Sequence, residues 1–214
     1  MKDFIKYSIK SKAHITDDVQ LIEEKKNKEI KYIDGNFENL KITKRDDISI
    51  FKKFLSFKLK IGNGFDIHKL IKGSNISIGG LKIKSNYKSE GHSDGDVVLH
   101  SLIDALLGAN AKGDIGTFFP PLKKYKDISS VALLNMIRNK INLNNLIILN
   151  LDVTIICQNI RLEKYKIAIK NNLAKILRCK VSLINIKAKT ADNVGIFGKS
   201  EAIGCWTTIQ LMSL

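Results

Sequence analysis

The stretch Gly62-Asn63-Gly64-Phe65-Asp66-Ile67-His68 places a carboxylate and an imidazole two residues apart. Leu59 and Ile61, just before it, alternate with lysines, which is typical of a strand. In an extended segment, residues two apart point to the same side of the chain, so Asp66 and His68 can converge on one point. The stretch therefore predicts a strand that delivers two candidate metal ligands.

A second stretch, Gly91-His92-Ser93-Asp94-Gly95-Asp96-Val97-Val98-Leu99-His100, could complete such a site. Its acids suit the N-terminus of a helix, which we expect over about residues 97–110. His100 would then lie on the helix as a third ligand, and Asp104, one turn later, could orient its ring. An ordinary solvated helix acid is an equally good interpretation of Asp104.

One carboxylate oxygen and two imidazole nitrogens suit zinc or a similar divalent ion, with one position left for substrate. We call Asp66, His68 and His100 the tripod. Taken alone, the pattern is weak evidence, because Asp-x-His is a common tripeptide and a helical histidine is more often packed than ligating.

Composition restricts the possible partners. The 214 residues are 44% hydrophobic, which is enough for a core, and no apolar run is long enough to span a bilayer. The net charge of +15 suggests an anionic partner, but the lysines are spread and aromatic residues make up only 7%. We therefore predict neither a nucleic-acid nor a membrane partner. Cys157, Cys179 and Cys205 are too widely spaced for a disulfide framework or a cysteine zinc site.

Residues 1–57 differ in character from residues 58–214. They are rich in lysine and acids and lack a sustained apolar period, so we predict a mostly disordered N-terminal extension. Residues 1–15 weakly resemble an organellar transit peptide, which suggests a leader remnant and a plastid-type organelle. The acids from Asp17 onward argue against this, and the cytoplasm is the alternative location.

From Lys58 onward, strand and helix patterns are mixed. A hairpin or kinked strand is expected around Gly79-Gly80, and helices over about residues 128–141 and around Ile169 and Leu173. Alternating apolar residues predict three further strands, around residues 149–155, 184–186 and 203–211. The expected fold is α/β (α+β), a two-layer sandwich in which helices cover one face of a mixed β-sheet.

Several of these motifs, in the same order, resemble the 2-C-methyl-D-erythritol 2,4-cyclodiphosphate synthase family. The resemblance covers about residues 61–211 and implies a homotrimer with its sheets around the three-fold axis and active sites between neighbouring subunits. The motifs that carry it are residues 64–68, 92–100, 104–109, 113–116, 152–158 and 187–201.

The resemblance also implies a reaction. The substrate would be 4-diphosphocytidyl-2-C-methyl-D-erythritol 2-phosphate, whose 2-phosphate attacks the diphosphate phosphorus nearer the erythritol. The products would be the 2,4-cyclodiphosphate and CMP, in a phosphorus–oxygen lyase step of non-mevalonate isoprenoid biosynthesis. Because one anion attacks another, the site must neutralise charge and hold both ends in place.

The family pattern assigns roles to individual residues. It implies one zinc per subunit on the tripod, magnesium or manganese on the substrate diphosphate near Asp192, and transition-state stabilisation by His92 and Thr190. The substrate-binding residues would be Asp66, Ile67, His68, His92, Ser93, Asp114, Ile115, Gly116, Phe119 and Pro120. The nucleotide-binding residues would be Cys157, Gln158, Arg161, Leu162, Ala188, Lys189, Thr190, Ile196 and Lys199.

Departures from the family pattern keep two rival functions open. Pro121 replaces a usual aspartate, and Ala191 and Asp192 replace threonine and glutamate. One rival is another metal-dependent phosphohydrolase on the same tripod, which would release phosphate or open products. The other is a basic binding protein without activity, which would bind nucleic acid in a salt-sensitive manner and hold no stoichiometric zinc.

Overall fold

The structure is a computed structural model that describes residues 41–55, 58–91, 93–120, 122 and 128–213. The chain divides into two compact units, residues 1–48 and residues 49–214. Most of the predicted extension lies outside the described residues, but helix α1 (Arg45–Leu55) falls within it. Asp46 and Asp47 in its first turn suit the positive end of a helix dipole, a local signal that the disorder prediction did not weigh.

The remaining elements follow the predicted mixture of strands and helices. Within the described ranges, no helix combines the length and the apolar character that crossing a bilayer requires. The elements after α1 are β1 (Lys58–Lys72), β2 (Asn75–Ile78), β3 (Leu81–Lys84), β4 (Tyr87–Ser89), α2 (Val97–Ala109), α3 (Ile115–Phe118), α4 (Ser130–Lys140), β5 (Leu146–Ile156), α5 (Lys166–Leu177), β6 (Ile184–Lys189), α6 (Gly195–Gly198) and β7 (Ala202–Ser213).

Five strands form one mixed sheet in the order β4-β1-β7-β5-β6. All neighbours are antiparallel except β5 and β6, which are parallel and are joined through α5, as a parallel pair requires. β2 and β3 form a separate hairpin that turns at Gly79-Gly80. Both glycines have positive φ, 61° and 78°, which two-residue hairpin turns demand and other residues rarely adopt. The mixed sheet and the hairpin confirm the sequence predictions.

The sheet has one face under helices and one open face. Along β7, alternate residues from Ile203 to Leu211 are buried, and α2 packs against β1 and β7 while α5 packs against β6. This confirms the two-layer arrangement. We call the other side the open sheet face; it carries large apolar side chains that are 40–57% exposed, namely Leu59, Ile61, Phe65, Ile67 and Trp206.

Two glycines let α2 lie directly on β1. A Cβ atom on Gly64 would stand 1.9 Å from the carbonyl oxygen of Ser101, and one on Gly62 would stand 1.9 Å from that of Ala105. No side chain fits in either place, so only glycine permits this separation of helix and strand. The close approach brings the side chains of α2 within hydrogen-bonding distance of those on β1.

Asp96 fixes where α2 begins. Its Oδ1 accepts hydrogen bonds from the backbone N–H groups of Val98 and Leu99, both at 3.1 Å, as an N-cap does. The same carboxylate accepts the N–H groups of Gly79 at 2.9 Å and Gly80 at 2.6 Å, so it joins the hairpin to the helix. Burial raises the pKa of Asp96, and these N–H donors oppose that shift. The acid predicted at the helix N-terminus is thus confirmed in that role.

We expect Gly64→Ala to lower the free energy of unfolding by about 3 kcal/mol or more, because the new methyl group overlaps helix backbone that cannot move aside. Urea unfolding followed by circular dichroism would measure this loss.

The matched control is Gly108→Ala on α2, where the added Cβ meets its nearest atom, the Asn63 carbonyl oxygen, at an ordinary 3.7 Å. That change should stabilise the helix by about 1 kcal/mol or leave stability unchanged. Equal stability of the Gly64 variant and the wild type would contradict the proposed close packing.

Candidate metal centre

The three tripod residues come together between β1 and α2. The Asp66 Oδ2 atom lies 3.0 Å from His68 Nε2 and 3.1 Å from His100 Nδ1, and the two histidine nitrogens are 3.0 Å apart. Asp66 and His68 alternate with outward-facing residues of β1 and therefore both point toward α2. His100 meets them from the first turn of α2, because that helix lies so close to the strand.

The donor set fits a divalent metal ion. Around a tetrahedral zinc with bonds near 2.0–2.1 Å, ligand atoms stand about 3.3 Å apart, which is close to the separations found here. Of the described residues, only Asp66, His68 and His100 form a group of three or more His, Cys, Asp or Glu side chains suited to holding one ion. One oxygen and two nitrogens also leave a fourth position open, as catalytic zinc sites do.

The charge of Asp66 also suits a cation. Burial by itself raises the pKa of this carboxyl, but hydrogen bonds with His100 and His68 outweigh burial and hold the pKa well below its usual range. The carboxylate is therefore ionised at neutral pH, the form that coordinates metal.

Asp104 does not orient His100, so this expectation was wrong. Its Oδ1 accepts the backbone N–H of Ile115 at 2.7 Å, which holds the start of α3. The second nitrogen of His100, Nε2, instead faces the hydroxyls of Ser130 at 2.9 Å and Ser93 at 3.1 Å. Sequence spacing could place Asp104 on the His100 side of the helix, but it could not reveal that a backbone group of the next loop would occupy the carboxylate.

The expected substrate-binding residues fall into different surroundings. Ser93 touches the tripod through His100, whereas the Ile67 side chain lies on the open sheet face, away from Asp66 and His68. Asp114 caps α3 by accepting hydrogen bonds from the N–H and hydroxyl of Thr117, both at 2.8 Å. Gly116 lies within α3, and Phe119 and Pro120 follow it, both partly buried. His92 lies outside the described residues.

The expected nucleotide residues belong to two loops that are joined to each other. Gln158 accepts a hydrogen bond from the N–H of Ala191 at 3.1 Å and donates one to Asn193 at 3.0 Å. The Cys157 thiol is buried and donates to the Ile160 carbonyl, and burial raises its pKa to about 11, so any nucleotide contact of Cys157 would come from its backbone. Leu162 is buried and Ala188 half-buried, while the exposed members of the set are Arg161, Lys189, Thr190, Ile196 and Lys199.

The tripod and the nucleotide loops do not meet within one chain. Asp66 is paired with Cys205, Cys205 with Ile155 and Ile155 with Ala188, so the four residues form one row across the sheet. Three strand spacings separate Asp66 from Ala188, or about 14 Å. The chain therefore carries a chelating region and a separate polar loop region at the same end of the sheet.

Asp192 stands in the loop region, not beside the tripod. Its Oδ1 accepts a hydrogen bond from the Thr190 hydroxyl at 3.3 Å, and its backbone has a left-handed φ of 46°. Among the described residues, Asp192 does not belong to a group of three side chains that could bind one metal ion. Asp192 would therefore hold a second ion only together with groups outside the described part of this chain, such as the substrate diphosphate.

Ser130 and its hydrogen-bond partner Asp94 were not among the predicted functional residues. The Ser130 hydroxyl donates a short hydrogen bond to Asp94 Oδ1, and its N–H donates to Asp94 Oδ2 at 3.2 Å. Ser130 is buried at the start of α4 and lies 30 residues beyond His100 in the chain. The helix predicted over about residues 128–141 includes Ser130, but no local signal links this serine to the tripod.

Comparisons with known proteins agree on one family. The model of the YgbB family matches residues 59–212. A 2-C-methyl-D-erythritol 2,4-cyclodiphosphate synthase from Fusobacterium nucleatum is 42% identical over 154 residues, which cover 72% of this chain and 96% of that protein. A bifunctional enzyme IspD/IspF from Wolbachia pipientis is 38% identical over 208 residues, 94% of this chain but 52% of the relative. The chain thus spans about half the length of the bifunctional relatives it matches.

Solved structures give the same result. A structure titled as an IspF CDP complex from Plasmodium falciparum is 34% identical with a TM-score of 0.63, covering 72% of this chain and 96% of that one. The bifunctional IspDF from Campylobacter jejuni is 30% identical with a TM-score of 0.70, covering 99% and 58%. The curated relatives named above are bacterial, which weighs against the plastid-type location that the sequence suggested.

We expect His68→Ala to abolish tight binding of zinc or cobalt, since it removes one of three ligand atoms that lie about 3 Å apart. Equilibrium dialysis with metal analysis would measure occupancy, and circular dichroism would check the fold.

The matched control is Lys69→Ala, the next residue on β1, whose exposed side chain pairs with Glu90 and does not reach the tripod. It should bind metal as the wild type does. Full occupancy in the His68 variant would rule out the tripod as the binding site.

Proposed function

The chain belongs to the YgbB family, and from that premise we propose that it is a cyclodiphosphate synthase. It converts 4-diphosphocytidyl-2-C-methyl-D-erythritol 2-phosphate to 2-C-methyl-D-erythritol 2,4-cyclodiphosphate and releases CMP, in non-mevalonate isoprenoid biosynthesis. The observation that carries the proposal is the convergence of one carboxylate and two imidazoles on a fold similar to that of named synthases.

The tripod supplies the metal-binding half of the mechanism. Asp66 brings a fixed negative charge, and His68 and His100 bring neutral nitrogen donors, so the three would hold one zinc per subunit. A bound ion would polarise the diphosphate and offset the charge of the two phosphoryl groups. The family resemblance also gives Ser93, whose hydroxyl lies 3.1 Å from His100 Nε2, a role in binding the substrate.

The polar loop region supplies the nucleotide half. Arg161, Lys189 and Lys199 offer exposed cations for the cytidine diphosphate, and Gln158 holds the two loops in one arrangement. Thr190, together with His92, would stabilise charge in the transition state, and Asp192 would contact a magnesium or manganese ion on the diphosphate. The solved relative titled as a CDP complex supports a ligand of this class.

We propose that the active form is a homotrimer with sites between neighbouring subunits. The open sheet face exposes two aromatic and three aliphatic side chains, and contiguous apolar surface of this kind marks interaction sites. Phe65 and Trp206 contact each other there as a tilted aromatic pair, with ring centroids 5.8 Å apart. Packing three such faces around an axis would bury them, and it would place the tripod of one subunit beside the loop region of the next.

The departures from the family pattern affect the second ion more than the tripod. Asp192 is shorter than the usual glutamate, so its carboxylate reaches less far toward a diphosphate, and Ala191 lacks a hydroxyl. Ala191 still donates its backbone N–H to Gln158, which preserves the loop. We infer that the enzyme relies on the tripod more than on Asp192.

We propose a cytoplasmic location in place of the plastid-type organelle. The support is the bacterial origin of the curated relatives, including those from Wolbachia pipientis and Fusobacterium nucleatum. Fractionation of source cells with an antibody to this chain would test it, and recovery in an organelle would contradict it.

The direct test of function is to incubate the protein with the cytidyl substrate and magnesium and to follow the products by ³¹P NMR. We expect CMP and the cyclic diphosphate in equal amounts, loss of both with a chelator, and no turnover by His68→Ala. Lys69→Ala should retain wild-type turnover, since its side chain pairs with Glu90 instead.

The rival functions give different results in the same assay. Release of inorganic phosphate or of an open product would favour the phosphohydrolase. Absence of turnover, together with salt-sensitive binding to nucleic acid, would favour the binding protein. Undiminished turnover by the His68 variant would refute the metal assignment while leaving the synthase activity standing.

The trimer has a separate test. Ile61→Asp places a charge in the middle of the open sheet face, where burial against a neighbour would strongly disfavour it, so we expect monomers by sedimentation or light scattering. Ile167→Asp on α5 is the matched control, since Ile167 is even more exposed, at 75%, and lies away from that face. Dissociation by both variants, or by neither, would contradict an interface on the open sheet face.

A further inference from the structure

A chain of hydrogen bonds leads away from the tripod on the side opposite the metal-binding nitrogen. His100 Nε2 lies 2.9 Å from the Ser130 hydroxyl, which in turn donates to Asp94 Oδ1. Ser130 is fully buried, while Asp94 is exposed. These two hydrogen bonds thus connect His100 of the candidate metal site, through Ser130, to the carboxylate of Asp94 at the protein surface.

The position of the serine proton shows which group donates in each of these hydrogen bonds. A serine hydroxyl has a single proton, and the Ser130 proton is committed to the carboxylate of Asp94. Toward His100 the same oxygen can therefore only accept, so the 2.9 Å contact is a hydrogen bond when Nε2 carries the proton, and the Ser93 hydroxyl at 3.1 Å can accept the same proton. In the ion-free protein Nδ1 donates to the Asp66 carboxylate, and an ion that displaces this Nδ1 proton meets the lone pair of a ring that stays protonated at Nε2.

We propose that Ser130 and Asp94 are positioning residues that fix the ring orientation and tautomer of His100, so that Nδ1 is presented as a metal donor. This inference rests on the proposed metal site. Asp94 acts through Ser130: its negative charge keeps the hydroxyl proton on the far side and makes the oxygen a better acceptor. The ring becomes a stronger donor as a result, as outer hydrogen bonds to ligating histidines generally achieve.

A purely structural role has to be separated from this one. Asp94 also accepts the backbone N–H of Ser130, so its loss would weaken the start of α4. The neighbouring Ser129 provides the control, because it is the N-cap of α4 and its hydroxyl accepts the N–H of Ala132. Ser129→Ala removes a helix cap and leaves the contacts of His100 intact.

The first experiment reads the tautomer directly in metal-free protein. Long-range ¹H–¹⁵N NMR of the histidine rings in the full chain should show a proton on Nε2 of His100 in the wild type and in Ser129→Ala. In Ser130→Ala and Asp94→Ala the protonated fraction at Nε2 should fall, because the acceptor is lost or its hydroxyl is freed to donate. A wild-type ring without a proton on Nε2 would overturn the proposal.

The second experiment measures affinity for cobalt and zinc by competition with a chromophoric chelator. Ser130→Ala and Asp94→Ala should bind about 10–100-fold more weakly than the wild type, and Ser129→Ala should bind equally well. If the wild type binds tightly and both variants match it, the positioning role is refuted while the metal centre stands. If the wild type does not bind either ion, the metal centre fails and the positioning role fails with it.

Discussion

The closeness of α2 to β1 is the constraint on which the site depends. Gly62 and Gly64 leave no side chain between strand and helix, so the helix backbone lies against the strand. Asp96 then fixes where the helix starts, by accepting the N–H groups of its first turn and those of the hairpin. With both the spacing and the helix start fixed, His100 meets Asp66 and His68 with ligand atoms 3.0–3.1 Å apart. A residue larger than glycine would push these donors apart.

The electrostatics of the tripod follow from its neighbours. An ionised carboxylate that is partly withdrawn from water needs compensating groups, and Asp66 obtains them from two imidazoles, which outweigh the effect of burial on its pKa. His100 is in turn oriented by the hydroxyls of Ser130 and Ser93, which contact its other ring nitrogen, Nε2. A divalent ion would meet donors already oriented in the required direction. This lowers the cost of assembling the site in the proposed reaction, in which two phosphate groups are drawn together against their repulsion.

The sheet separates the candidate metal ligands from the loops that are expected to bind the nucleotide. The register sets the tripod and the nucleotide loops on one row, about 14 Å apart, and β7 and β5 lie between them. Gln158 makes the loop region a single unit through its bonds to Ala191 and Asn193. In the proposed trimer, the open sheet face is the surface on which neighbouring subunits pack. An assembly that buries its apolar side chains would therefore also determine which tripod serves which loop region.

The sequence by itself determined most of the elements from residue 58 onward and which residues are the candidate ligands. Alternation predicted β1, β5, β6 and β7, Gly79-Gly80 predicted the hairpin, and the spacing of Asp66 and His68 put them on one side of a strand. These signals are local, because they arise from the periodicity of strand and helix. Only the tertiary structure decided that Asp104 holds Ile115, that Ile67 faces away from the tripod, and that Ser130 and Asp94 stand behind His100. Those contacts depend on how α2, α4 and the loops pack, and no short-range pattern encodes which distant hydroxyl reaches a given nitrogen.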